Sequence, residues 1–547
     1  MSADSTYCCK VSEDVVIENG IMKAVHNAYT NPYNSLGELI LESMRSNPKF
    51  VGQVDGETGR EDTFEEMAEK SVKCALWMRE QNIGIGDVVG VCTHNQMDMY
   101  VPCFAALYVG AAYNPWCDVG LTEDMAKHFV DLTQPKVIFA SPATAEVVDK
   151  AIKDLGAEAT VVVFGETPNH LSLNSVLESQ DSKNLGDFRC TKISSAEESA
   201  VIFYTSGSTG LPKGVVHSHK GLYANVRHYI NMDNIEEPTV TLSFSRLCWV
   251  TANYNMFRGI LVPDKRIIVS EYSTEKLAAF IEKYKVNWVL LGPAEMIGLA
   301  KCSEISKYDL SSLKFVSIGG AAIKKEIQES FAATFPRASV RQCYGITELG
   351  LGIKQDDKTC SEPSCGRVTE NRQLKVIDPK TGRILNPHET GEACFKSEYI
   401  MKGYYRNPEA TKEAIDSEGW FHTGDLVYYD KQGHVFFVDR SKEMVKFGAW
   451  HVSPTMIEHK LLTHPAIQEV AVVSKPDEID NEHPIAFVEK KPGHQVTEEE
   501  IQRIVAAEFP DYMKLRGGVK FLDKLPRTAV GKIARPVLRA LAKADAP

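Results

Sequence analysis

The chain has 547 residues, 43% of them hydrophobic and 24% charged, with a formal net charge of -12. That length is too great for one hydrophobic core, so two or more domains are expected, with the composition of an ordinary globular protein rather than a fibrous or disordered one. The acidic balance argues against non-specific nucleic-acid binding, and no run of 18 apolar residues offers a membrane span.

In chain order, the first half alternates helix and strand signals. Ser35 can cap a helix that carries Leu36, Leu39, Ile40 and Met44 at helical spacing and stops at Asn47-Pro48. Thr63 and Glu66 form a capping box ahead of Met67, Val72 and Trp77. A strand at Val88–Cys92, a helix over Met97–Tyr108, a strand at Val137–Phe139, a helix from Pro142 and a strand at Val161–Phe164 follow. Further strands are expected at Ala200–Phe203, Trp288–Leu291 and Phe315–Ile318. This alternation implies mainly parallel sheets with helices on their faces. A boundary falls near Asp439-Arg440-Ser441-Lys442. Beyond it a short alternation (Met444 to Val452), a helix over Pro454–Leu462, strands at Glu469–Val473 and Pro484–Glu489, a helix from Glu498 and a charged tail read as a small α+β domain.

The thirteen cysteines are scattered, and Cys74, Cys92, Cys103 and Cys394 sit in apolar segments, as reduced, core-filling thiols of an intracellular protein do. Cys360 and Cys365 have no second Cys/His pair at zinc spacing, which argues against a metal knuckle. The N-terminus lacks a signal-peptide core and the chain ends Lys543-Ala544-Asp545-Ala546-Pro547, not Ser-Lys-Leu. The expected compartment is the cytoplasm, with the peroxisome open for a chain that had lost its tail. Oligomeric state is not readable.

The densest chemistry lies in Tyr204-Thr205-Ser206-Gly207-Ser208-Thr209-Gly210-Leu211-Pro212-Lys213-Gly214. Glycines let backbone approach a ligand closely, successive N–H groups can cradle an anion, and Lys213 adds a mobile charge. The loop reads as a phosphate grip; a Gly/Ser linker is the alternative, and a Walker A loop is excluded because no Gly-Lys-Ser/Thr ends it. Ile318-Gly319-Gly320-Ala321 closes a predicted strand, either as a surface for a flat ligand or as a plain turn. Cys343-Tyr344-Gly345-Ile346-Thr347-Glu348 gathers a stacking ring, a hydroxyl and a carboxylate able to hold Mg²⁺. Gly419-Trp420-Phe421-His422-Thr423-Gly424-Asp425 ends on another carboxylate, which the alternative reading leaves in a surface ion pair.

Thr-Ser-Gly-Ser-Thr-Gly-Leu-Pro-Lys-Gly resembles the signature of the acyl-adenylate-forming enzymes: acyl-CoA synthetases, 4-coumarate–CoA ligases and beetle luciferases. Tyr344-Gly345-Ile346-Thr347-Glu348, Gly419 to Asp425, Arg440 in Val438-Asp439-Arg440, and Lys532 in Pro526 to Lys532 match further family motifs in order. The resemblance implies an α/β N-terminal domain (1–440) that includes a small β-barrel part, a hinge (441–443) at Lys442, and a mobile α+β C-terminal domain (444–547). It implies nucleotide contacts from Thr205, Ser206, Gly207, Ser208, Thr209, Gly210, Lys213, Gly319, Gly320, Ala321, Tyr344, Gly345, Thr347, Asp425, Arg440 and Lys532. Asp425 is expected to accept from both ribose hydroxyls, and Glu348 to hold the metal. Lys213, Thr347, Glu348 and Lys532 are expected to act in adenylation, and Lys446 to replace Lys532 in a second, rotated state. Arg227, Trp249, Val250, Gly320, Leu349 and Gly350 are candidates for the acyl pocket, while His217 and His219 read as structural.

The resemblance thus implies a ligase that uses ATP and Mg²⁺ to convert a fatty or aromatic acid to acyl-AMP and then to acyl-CoA. Phrases such as Gly403-Tyr404-Tyr405-Arg406-Asn407-Pro408 are similar to the insect luciferase-like acyl-CoA ligases. The alternatives are a luciferase that oxidises luciferyl-adenylate with O₂, and a non-catalytic nucleotide-binding homologue. Three departures from the family pattern stand out. Phe447-Gly448-Ala449-Trp450-His451 alters the segment that lines the pantetheine tunnel in relatives. Phe244-Ser245-Arg246-Leu247-Cys248-Trp249-Val250 lacks the usual histidines. The position of a luciferin-side arginine falls on Asn225, two residues before Arg227.

Overall fold

The computed structural model describes residues 8–10, 14–205, 211–230, 239–262, 264–300, 302, 304–320, 325–355, 364–447, 450–477, 479–528 and 532–544. Among these, the strands assort into four sheets. The first runs in the order Leu171–Ser172, Thr160–Val163, Val137–Ala140, Val88–Cys92, Ala112–Trp116, Ser199–Thr205, Lys213–Ser218, Gly403–Tyr404. Its first six strands are parallel and its last two join antiparallel. The second sheet has five parallel pairings at its centre and antiparallel strands at both ends. Helices fill the space between and around these sheets, as the alternation requires.

The capping signals act as expected. Ser35 Oγ accepts from the N–H groups of Gly37 and Glu38 at the start of Leu36–Ser46. Thr63 and Glu66 close a capping box on Phe64–Glu80. The predicted helix at Met97 divides into a single 3₁₀ turn, Met97–Met99, and a helix, Tyr100–Val109. Pro102 suits the first turn of the latter, where a missing N–H costs nothing. All ten residues of that helix are buried, so it is apolar on every side. One central strand, Ala112–Trp116, has no sequence signal because Pro115 argues against a strand interior. Asn114 compensates: its amide donates to the Ile202 carbonyl at 2.6 Å and its oxygen accepts from the Trp116 indole at 2.6 Å.

The third sheet is wholly antiparallel and links both ends of the large domain: Cys8–Lys10, Val15–Glu18, Ile21–Ala24, Gln373–Ile377, Gly391–Lys396, Phe421–Tyr429, Val435–Arg440. It occupies the place of the expected barrel part. After Arg440 the chain enters a separate domain built on a five-stranded sheet. The helix Pro454–Leu462 has the predicted bounds. The tail read only as charged also folds: Arg535–Ala544 is a helix with Leu538 and Ala542 buried one turn apart. Those two residues pack on Ala471, Val473, Ile485 and Phe487 of the sheet. The cysteines Cys74, Cys92, Cys103 and Cys394 are buried free thiols, and Cys360 lies outside the described residues. No helix among the described residues is long and apolar enough to cross a membrane.

Gly350 joins two strands of the second sheet with φ +76°, and a Cβ there would meet the Asn225 carboxamide oxygen at 2.3 Å. Both the backbone conformation and the steric fit require glycine. Gly350→Ala should therefore destabilise the large domain by roughly 2 kcal/mol, read as an earlier thermal transition, whereas Gly382→Ala, where a Cβ meets open space, should shift it less.

Candidate active site

The glycine-rich segment is the loop of a β-hairpin. Ser199–Thr205 and Lys213–Ser218 pair antiparallel, with Thr205 opposite Lys213 at the neck. Ser206, Gly207, Ser208, Thr209 and Gly210 lie outside the described residues, as does Ala321. The Lys213 ammonium sits over the Tyr404 ring, 4.7 Å from its centroid. Tyr404 arrives because Gly403–Tyr404 pairs with the return strand of the hairpin. Its hydroxyl donates to Glu348 Oε1 at 2.9 Å. Sequence reading missed this residue; the pairing of a two-residue strand leaves no local signal.

Thr347 and Glu348 follow the strand Ser339–Ile346. The Thr347 carbonyl accepts from His217 Nε2 at 2.8 Å, and the Glu348 carbonyl accepts from the Met401 N–H at 2.8 Å. The turn is thus clamped from two directions. Glu348 is buried, and burial raises its pKa; the Tyr404 hydroxyl and the charges of Arg440 and Lys532 work against that rise.

Asp425 and Arg440 stand opposite each other on neighbouring strands. Arg440 Nε lies 3.4 Å from Asp425 Oδ1, and the Tyr344 hydroxyl donates to Oδ2 at 2.6 Å. Burial raises the pKa of Asp425, opposed first by Arg440, then by Tyr344 and Lys532. Two carboxylate oxygens carry about four lone-pair directions, so acceptor capacity remains. The Tyr344 ring lies nearly parallel to Phe395, with centroids 6.1 Å apart.

Lys532 comes from the C-terminal domain. Its backbone is held by Thr528, whose N–H donates to the Lys532 carbonyl and whose hydroxyl accepts from the Lys532 N–H. The residue is exposed; desolvation and Arg440 lower its pKa, while Glu348 and Asp425 raise it. Arg440 pairs with Asp425 within the large domain, and the charges of Glu348 and Asp425 both favour the protonated form of Lys532. Lys446 is exposed on Val445–Phe447 with its N–H held by Glu482. Trp450 is exposed and stacks on Tyr512 at 4.5 Å; Lys442 is exposed at the domain junction.

Gly320 has φ +95° and open space where a Cβ would project, so this backbone is accessible to a ligand; Gly319 packs closely on Cys343. A Cβ on Gly345 would meet the Gly350 carbonyl oxygen at 2.5 Å, so that position too has no room for a side chain. Trp249 and Val250 open the helix Val250–Leu261, and Arg227 is half-buried on His219–Ile230. Leu349 is a correction: its side chain is wholly buried in the core beneath the third sheet, packed with Val15, Ile17 and Ile353, so it offers only its carbonyl, which accepts from Arg372 at 3.0 Å. Asn225 is likewise committed, accepting from the same guanidinium at 2.6 Å.

Burial pushes both His217 and His219 down to about 4. His219 Nδ1 accepts the Leu36 N–H, which a neutral ring alone can do. Between pH 6.5 and about 4 the unfolded chain takes up protons that the folded rings refuse, so these histidines make stability fall as pH drops through that window. His217→Gln should shrink that loss by on the order of 2 kcal/mol, measured as stability against pH beside the wild type, whose buried carboxylates are common to both proteins.

The chain matches two family profiles: "AMP-binding enzyme" over residues 42–405 and "AMP-binding enzyme C-terminal domain" over residues 456–532. It is 33% identical to a luciferin 4-monooxygenase of Photuris pensylvanica, over 87% of this chain and 89% of that protein. It is 31% identical to 4-coumarate–CoA ligase 3 of Oryza sativa subsp. japonica, over 90% of each. Among solved structures, the luciferase-like enzyme from the nonluminescent Zophobas morio mealworm superposes with a TM-score of 0.71 at 27% identity, covering 77% of this chain and 99% of that one. The anthranilate CoA ligase AuaEII in complex with anthranoyl-AMP superposes with a TM-score of 0.85 at 22% identity, covering 94% and 98%, a likeness of fold.

Proposed function

This chain belongs to the AMP-binding enzyme family, and we propose that within it the protein is an acid–CoA ligase, joining a fatty or aromatic acid to CoA through an acyl-AMP. The observation that carries this reading is the position of Lys532. The pKa of this small-domain lysine responds to Glu348, Asp425 and Arg440 of the large domain, which supports the reading.

In the first step the acid's carboxylate attacks the α-phosphorus of ATP, the bond to the β-phosphate oxygen breaks, and pyrophosphate leaves. Lys213 and the hairpin loop hold the phosphates, Asp425 holds the ribose hydroxyls, and Tyr344 flanks the base. Lys532 and Thr347 stabilise the charge that builds on the α-phosphate, so positioning and electrostatics carry the step without a protein nucleophile. Glu348, an oxygen ligand of the kind Mg²⁺ prefers, would hold that ion, which when bound screens the triphosphate. The domains divide at 440 and 444, and the small one turns about Lys442, withdrawing Lys532 and presenting Lys446. The CoA thiol then attacks the acyl carbonyl and AMP leaves. Trp450, within the altered Phe447–His451 segment, stacks on Tyr512 of the same small domain.

Lys532→Ala should cut pyrophosphate release roughly 10²–10³-fold while sparing thioester formation from supplied acyl-AMP, and Lys446→Ala should do the reverse. If Lys532→Ala also fails with acyl-AMP, the division of roles is wrong. Pyrophosphate release and CoA consumption measured side by side over a panel of fatty and aromatic acids names the substrate. Release without CoA use would show the thiol route closed. The luciferin 4-monooxygenase relatives support a second reading, oxidation of luciferyl-adenylate by O₂; light on adding D-luciferin, ATP and Mg²⁺ tests it.

A further inference from the structure

Beside the strand that carries Asp425, three metal-ligating side chains converge. Glu392 and Cys394 lie on Gly391–Lys396, and His422 stands opposite Cys394 on Phe421–Tyr429. The register slips here: Glu392 faces Leu426 while Cys394 faces His422, so two steps on one strand oppose four on the other. The excess is taken up at Gly424, which has φ +71°. This bulge folds the three side chains together, with their ligand atoms all within 4.8 Å of one another.

The spacing suits one ion. His422 Nδ1 is 3.3 Å from Glu392 Oε2 and 3.5 Å from Cys394 Sγ. Zinc bonds of about 2.0–2.1 Å to N and O and about 2.3 Å to S, at tetrahedral angles, give ligand–ligand edges of about 3.3 Å and about 3.6 Å. The imidazole is also oriented from behind: Nε2 lies 3.4 Å from Asp416 Oδ2, and Asp416 is fixed by the N–H groups of Glu418 and Trp420, each at 2.9 Å. A carboxylate that holds the far nitrogen of a ligating histidine is a regular accompaniment of zinc. In the metal-free site the Cys394 thiol, whose proton burial helps to retain, can donate to Nδ1, and a cation would take that proton's place between sulfur and ring. The nearby Lys375 ammonium, 4.4 Å over the Trp420 ring, counts against a cation. The thiolate and carboxylate bring two negative charges, which a divalent ion balances.

We propose that Glu392, Cys394 and His422 bind a zinc-class divalent ion, with a solvent oxygen as fourth ligand. The Cys394 thiol loses its proton to solvent as the sulfur–metal bond forms. Glu392 holds the Gly424 N–H with its other oxygen at 2.9 Å, so the loaded site grips the bulge next to Asp425. This site is separate from the adenylation reading and stands whether or not that reading does.

The test uses the full-length protein and the metal alone. One equivalent of Co²⁺ should give a thiolate-to-cobalt charge-transfer band in the near ultraviolet, displaced by Zn²⁺. The band should vanish in Cys394→Ser, and Asp416→Asn should weaken zinc binding about 10–100-fold in competition with a chromophoric chelator. The other described trio, Asp477, Asp480 and His483, has no sulfur and gives no such band. Absence of the band in the wild type, or its survival in folded Cys394→Ser, overturns the proposal. Should Cys394→Ser fail to fold, unchanged zinc affinity in Asp416→Asn overturns it instead.

Discussion

Two buried carboxylates, Glu348 and Asp425, set the terms for the rest of the active site. An ionised carboxyl out of water is costly unless it is paired and hydrogen-bonded. Each has a tyrosine hydroxyl, Tyr404 on one and Tyr344 on the other. Neither phenol supplies charge, so the balance comes from Arg440 and Lys532. Lys532 belongs to the other domain, so one of the charges that favours these carboxylates comes from beyond Arg440 in the chain.

The same region shows how a fold built for packing yields a site. The hairpin neck at Thr205 and Lys213, the two-residue strand Gly403–Tyr404 and the clamped Thr347–Glu348 turn are held by ordinary backbone pairing. The bulge around Gly424 does double duty, presenting Asp425 toward Arg440 on one side and collecting Glu392, Cys394 and His422 on the other. A register irregularity of this kind re-aims side chains without adding residues to the core.

Much of this was legible before any coordinates, for physical reasons. Ser35, Thr63 and Glu66 act within their own turn, and the helix Pro454–Leu462 announces itself by Pro at its start and its capping serine. The Gly/Thr/Ser-rich segment after Ala200–Phe203 likewise marks a strand end, at the neck where Thr205 pairs with Lys213. What stayed hidden depends on distant partners. Ala112–Trp116 is a strand despite Pro115 because Asn114 bonds across to Ile202. Tyr404 reaches Glu348 only through tertiary pairing, Leu349 turns into a core rather than a pocket, and Leu538 and Ala542 anchor a C-terminal helix to a sheet formed far earlier in the chain.

Asp439 ends the large domain with a contact that belongs to the small one. Its Oδ2 accepts from the Ser453 hydroxyl at 2.5 Å and from the Thr455 N–H at 3.2 Å, at the start of Pro454–Leu462. It therefore supplements Ser453 as an anionic cap and meets the positive end of the helix dipole. A small domain turning away would strip that helix of its extra cap and leave a buried carboxylate with fewer donors. The start of Pro454–Leu462 is thus held partly by a residue that precedes its own domain, so the two domains share one cap. A change at Asp439, at the end of one domain, would therefore be felt first as a frayed helix start in the other.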